Sequence, residues 1–112
     1  MRPPEPKFDE LIHFPARLRI CGLLRNVDAL AFRTLEAALE LPASQVSRHL
    51  KALTEAGYVS ISKTTSAERA DARRVAWVRL TPVGQQALER HMAALARIAQ
   101  GQEEREGFKR IH

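Results

Sequence analysis

The stretch Ala43-Ser44-Gln45-Val46-Ser47-Arg48-His49-Leu50-Lys51-Ala52-Leu53-Thr54-Glu55-Ala56-Gly57 decides the fold. Val46, Leu50 and Leu53 recur at helical spacing, so a helix over about 43–56 carries one narrow apolar seam. Gly57 stands just past the last apolar position, where a residue able to adopt left-handed φ stops a helix. Off the seam lie Ser44, Gln45, Ser47, Arg48 and Lys51: short hydroxyls, an amide and cations. Such a face is either an ordinary solvated surface or one suited to hydrogen-bonding edges.

Upstream, Phe32, Leu35, Ala38 and Leu39 repeat at helical spacing until Pro42 interrupts, which leaves a turn of only about three residues before the next helix. Earlier still, Phe8, Leu11 and Ile12 mark a short helical face. Pro15 opens a helix to Leu24, with Leu18, Cys21 and Leu24 inward, and Asn26 and Asp28 supply the break. Downstream the period drops to two. Val59 and Ile61 alternate with Ser60 and Ser62, and Val75, Trp77 and Arg79 with Ala76, Val78 and Leu80, so a hairpin is expected over about 59–80. Its loop, Thr64 to Arg74, is polar and charge-rich. Thr81-Pro82 then starts a long helix to about residue 99, with Val83, Ala87, Leu88, Met92, Leu95 and Ile98 as its stripe. Three prolines among the first six residues predict a flexible arm over 1–7. Glycines and mixed charges predict a tail over 100–112, partly helical or disordered.

Together these parts predict a mainly α (α+β) domain over 8–99 with a small β-hairpin: a winged helix-turn-helix with an added C-terminal helix. The charge is placed to match. Residues 43–80 hold seven basic and three acidic side chains, whereas residues 1–42 hold six of each. A local cationic excess suits a polyanion, because Lys and Arg release counterions from a phosphate backbone. Gln45 can pair with adenine and Arg48 with guanine or a phosphate, while Ser44, Ser47 and Lys51 suit backbone contacts. Lys63, Arg69, Arg73 and Arg74 would add cations on the hairpin, partly offset by Glu68 and Asp71. The same fold without specific DNA contacts would be a protein-interaction module, and a salt titration of duplex binding separates the two.

Four segments carry a family resemblance: Phe8-Asp9-Glu10-Leu11-Ile12-His13-Phe14-Pro15-Ala16-Arg17-Leu18-Arg19-Ile20, Gln45-Val46-Ser47-Arg48-His49-Leu50-Lys51-Ala52-Leu53, Glu55-Ala56-Gly57-Tyr58-Val59 and Leu80-Thr81-Pro82-Val83-Gly84. Over about Phe8 to Ile98 the chain resembles the small single-domain MarR/ArsR-like winged-helix transcriptional regulators. The resemblance implies a homodimer joined by its terminal helices, with two groove-reading helices on double-stranded DNA and, usually, repression. It leaves open whether a small-molecule effector binds. Pro42 and Ala43 depart from the pattern, standing where relatives often carry a hydroxyl cap.

A dimer is also expected from the chain itself. The last helix carries more apolar surface than a core this small needs, and Leu88, Met92, Leu95 and Ile98 with Leu11 and Ile12 are the expected contacts. The other reading folds that stripe back within the protomer. A chain of 112 residues, 45% apolar and 28% charged, holds one soluble domain. No apolar run nears the roughly 20 residues of a membrane span, and the start lacks a secretory leader, so a cytoplasmic location is expected. His13, His49, His91 and His112 lack metal-ligand spacing, and Cys21, on an apolar face, is expected as a buried hydrophobe. No metal, cofactor or enzymatic activity is expected, because no nucleophile-base set or phosphate loop is present.

Overall fold

Local capping and turn chemistry places several of the boundaries in the computed structural model, which describes residues 2–65 and 74–102. Asp9 precedes helix α1 (Glu10–His13), and its Oδ1 accepts the Leu11 and Ile12 N–H groups at 3.0 and 3.2 Å. Pro15, with φ preset for a first turn, opens α2 (Pro15–Leu24). A two-residue strand, β1 (Leu30–Ala31), leads directly into α3 (Phe32–Leu39), which ends at Glu40 in the left-handed region (φ 55°). After that tight turn comes α4 (Ala43–Glu55). Gly57 at φ 81° terminates it in a Schellman motif: Gly57 N–H donates to the Thr54 carbonyl and Tyr58 N–H to the Leu53 carbonyl, each at 2.9 Å.

Strands β2 (Val59–Thr65) and β3 (Arg74–Leu80) pair antiparallel from Val59 opposite Leu80 to Thr65 opposite Arg74. The sheet order is β1-β3-β2, because Leu30 and Ala31 pair with Val78 and Trp77 on the other edge of β3. β1 is too short to leave a period-two signature, so the sequence shows only a break there. Helix α5 (Pro82–Ala99) follows, with the Thr81 hydroxyl oxygen accepting the Gly84 N–H at 3.0 Å. This is the expected mainly α architecture with a small sheet.

The buried cluster draws on almost every element: Ile12, Ile20, Cys21, Leu24, Leu35, Leu39, Val46, Leu50, Leu53, Val59, Val78 and Leu88. The seam Val46/Leu50/Leu53 faces inward as expected. The stripe of α5 does not follow the expected positions. Its buried residues are Gly84, Leu88, His91 and Ala94, while Val83 is 57% exposed. A glycine and a histidine hold the inward positions because one meets backbone and the other is bonded by it, which hydrophobic periodicity does not register. Ile12 and Leu88, expected at a dimer interface, are 0% and 1% exposed within the protomer and have no area to offer a second copy. Leu11 and Leu95 are half-buried, and Met92 and Ile98 are open.

The first residues also differ from a free arm. Lys7 N–H donates to the Arg90 carbonyl at 3.0 Å, and Arg90 reaches back to the Glu5 carbonyl at 3.3 Å and to its carboxylate at 3.6 Å. Residues 5–7 therefore run along α5. Of the expected tail, residues 103–112 lie outside the described residues.

Candidate nucleic-acid interface

Burying one seam of α4 leaves the rest of that helix facing out. Ser44, Gln45, Ser47, Arg48 and Lys51 are all exposed, along one side and the first turns of the helix. At its start, Pro42 gives no side-chain cap. Its carbonyl instead accepts the Gln45 and Val46 N–H groups at 3.0 and 3.1 Å. The positive end of the helix dipole thus opens beside Ser44 and Gln45, on the polar face. The helix starts at Ala43 without a side-chain hydroxyl cap.

Strand β2 brings Lys63 alongside this face. Ser47 and Lys51 of α4 and Ile61 and Lys63 of β2 line one groove of about 450 Å³ between helix and hairpin. Alternation along the strand explains the placement: Lys63 shares the face of Val59 and Ile61, which packs toward α4. Arg74 lies elsewhere, in a neighbouring groove of about 480 Å³ beside Arg33, Phe32 and Trp77. Sequence reasoning did not single out Arg33. The signal was its place in the first turn of α3, the leading helix of the pair. Arg69 and Arg73, also expected to contact DNA, lie outside the described residues. Arg79 is engaged within the domain, donating to Ser62 Oγ at 3.2 Å and lying 3.9 Å from Asp28.

Behind this surface two histidine contacts hold helices together. His49 of α4 accepts from Arg17 Nε at 3.3 Å and lies 5.1 Å, centroid to centroid, from the Phe14 ring. His91 of α5, fully buried, accepts the Asp9 N–H on Nδ1 at 2.9 Å and meets His13 Nδ1 through Nε2 at 3.2 Å. Asp9 also accepts the Tyr58 hydroxyl on Oδ2 at 2.6 Å, which ties α1 to the start of β2. That hydrogen bond, reinforced by burial, pushes the Tyr58 hydroxyl up to about 12. Cys21 is buried and its thiol is pushed up to about 11, by burial first and by Asp9 second, so it packs as a small hydrophobe. Among the described residues, no three His, Cys, Asp or Glu side chains gather to hold a metal ion.

The His91 geometry requires a neutral ring, since Nδ1 must stay bare to accept the Asp9 N–H. Burial first, and the neighbouring His13 second, lower its pKa against an opposing contribution from Asp9. A histidine depressed in the native state contributes stability that is fully present above the unfolded value of about 6.5, and this is lost as pH falls below it. Thermal melts should therefore give a lower midpoint at about pH 5.5 than at about pH 7.5. Equal midpoints would show that the folded protein takes up the proton as readily as the unfolded chain, which would overturn the neutral His91 ring.

Comparison with protein families matches residues 16–99 of the 112 to the winged helix DNA-binding domain. The chain belongs to this family. Among solved structures, this winged helix is similar to a transcriptional regulator homologue from Pyrococcus horikoshii OT3. The TM-score is 0.73 at 21% identity, over 86% of this chain and 91% of the other. It is similar to a possible transcriptional regulator for arsenical resistance, with a TM-score of 0.57 and 25% identity over 85% and 95% of the two chains. PadR of Bacillus subtilis, solved in complex with operator DNA, gives a TM-score of 0.56 at 22% identity, over 69% of this chain and 45% of that one. Among curated proteins none matches the chain in sequence. In this winged helix α3 and α4 are the helix-turn-helix and β2–β3 the wing. Among the described residues, no helix is long and apolar enough to cross a membrane.

Proposed function

We propose that this winged helix is a dimeric, cytoplasmic transcriptional repressor that reads a pseudo-palindromic DNA site through the major groove. The carrying observation is the exposed polar face of α4 beside Lys63, over a seam that is wholly buried. An α-helix fits the major groove, where Gln45 and Arg48 have the right groups for adenine and guanine edges. Ser44, Ser47, Lys51 and Lys63 are placed for phosphates, with Arg33 and Arg74 as further cations on the flank. Arg69 and Arg73 extend the same cationic hairpin in sequence. A second copy would dock along α5 through Met92, Leu95 and Ile98, with Leu11 at the margin, and Val83 adds exposed apolar surface on the same helix. Two α4 helices would then stand about one DNA turn, roughly 34 Å, apart. Repression follows from occupancy, since a bound dimer excludes other proteins from the duplex it covers. The similarity to PadR, whose solved complex contains operator DNA, supports this reading.

Selection of bound duplexes from a random pool tests the proposal. The expected result is a motif of two inverted half-sites. A single half-site would remove the dimer, and no enrichment would favour the protein-interaction alternative. Against the selected duplex, Arg48→Ala should cost about 1 to 3 kcal/mol and relax the preference at one base pair. A uniform loss across sequences would instead assign Arg48 to a phosphate.

A further inference from the structure

Arg17 of α2 stands where α1, α2 and α4 meet. Its Nη1 donates to the Leu11 carbonyl at 3.1 Å, its Nε donates to His49 Nδ1 at 3.3 Å, and its guanidinium carbon lies 4.6 Å from the centre of the Phe14 ring. Phe14 also packs on the imidazole. One planar fork therefore grips the backbone of α1, an aromatic ring and a side chain of α4. The buried Val46/Leu50/Leu53 seam sets which way α4 faces, and because the Arg17 donors are fixed in one plane this contact adds a second, polar constraint on the rotation of its N-terminal half. His49 is adjacent in sequence to Arg48, so the azimuth of the DNA-facing side chains depends on it.

The contact also requires one protonation state. Nδ1 must be bare to accept from Arg17, which puts the single ring proton on Nε2. An imidazolium would turn an N–H toward the Arg17 Nε–H and set a third positive charge beside two arginines. The charged groups acting on His49 are Arg17 from α2 and Arg48 from its own helix, while α1 presents the Leu11 carbonyl, already held by Arg17.

We propose that Arg17 is a positioning residue for the recognition helix, acting through His49, and that proton uptake by His49 loosens this positioning and weakens DNA binding. This rests on the reading of α4 as the DNA-contacting helix. Burial, then Arg17 and Arg48, keep the His49 pKa below the usual histidine value, so the loosening belongs to the acid side of neutrality. The direction is diagnostic. A histidine that merely added charge near a phosphate backbone would tighten binding on acidification.

The experiment compares wild type, Arg17→Met and His49→Asn by fluorescence anisotropy on a duplex selected from a random pool, at about pH 7.5 and about pH 5.5. Asparagine keeps an acceptor for Arg17 and removes the titration. Acidification should weaken wild-type binding severalfold relative to His49→Asn, since only the fraction of His49 that takes up a proton loses its hydrogen bond to a charged donor. Effects of His13 and His91 are common to both proteins and cancel. Arg17→Met should bind more weakly at the higher pH, and acidification should weaken it no more than it weakens His49→Asn. In parallel, NMR titration of the His49 ring without DNA should give a higher pKa in Arg17→Met than in wild type. Equal pH responses of wild type and His49→Asn, or tightening of wild type relative to it, would overturn the proposal even if Arg17→Met failed to fold. Absence of any duplex binding by the wild type would instead overturn the reading of α4. The ring titration would then still decide whether Arg17 and His49 are coupled.

Discussion

Raising salt from about 50 to about 200 mM should weaken duplex binding by about a thousandfold, the loss for roughly six phosphate contacts. Each protomer offers Lys51, Lys63, Arg33 and Arg74 as exposed or groove-lining cations near α4 and the wing, besides Arg48. Doubled in the proposed dimer, that inventory would supply the contacts without using every side chain. A plot of log affinity against log salt gives the number directly. A slope near zero would show that the cations of α4 and β2 do not meet phosphates, and the wing would then be a solvated hairpin. The Lys63→Ala variant should lower the slope by about one per bound half-site while leaving the preferred sequence unchanged.

Gly84→Ala should be the most damaging small substitution in the domain. A Cβ there would collide with the Tyr58 carbonyl oxygen, with its carbon at 2.8 Å and with Leu80 Cδ1 at 2.9 Å. That carbonyl cannot retreat freely, because it accepts the Thr81 N–H at 2.9 Å and the chain beside it is held by the Thr81 hydroxyl, which donates to the Gly57 carbonyl at 2.6 Å. Overpacking against fixed backbone costs about 3 kcal/mol. For a domain of this size the thermal midpoint should fall by about 15 °C. Gly22→Ala is the control, since a Cβ at Gly22 of α2 meets nothing within 4 Å, and it should be neutral or slightly stabilising. A Gly84→Ala midpoint matching that of the control would mean that α5 can move away from the start of β2.

Elements with strong local signals were legible in the sequence. Pro15, Thr81-Pro82 and Gly57 marked helix ends by their own backbone chemistry, and the Val46/Leu50/Leu53 seam fixed which way α4 faces. The sequence hid features in which tertiary contact replaces a local pattern. β1 exists because β3 offers an edge to two residues. His91 is inward because a backbone N–H from a distant segment and a second histidine satisfy its ring, so a polar residue occupies a position that periodicity reserves for an apolar one. The same shift explains Met92, which was grouped with Leu88 on the expected stripe yet lies outside the core. In the candidate site, the α4 residues could be read directly because one helix carries them. That Lys63 joins Lys51 in one groove while Arg74 falls in another depends on strand alternation and on the packing of α3, which appear only when the elements are assembled.

The two-residue pairing of Leu30 and Ala31 with Val78 and Trp77 has a mechanical consequence. It straps the root of the hairpin to the entrance of α3, so the pairing opposes any separation of the leading helix from the ribbon. In the proposed complex, α3 and the wing would then hold a set spacing within each half-site. If the chain binds as the proposed dimer, an extra base pair between the two half-sites would have to be accommodated by flexing where the copies join, or by twisting the duplex itself.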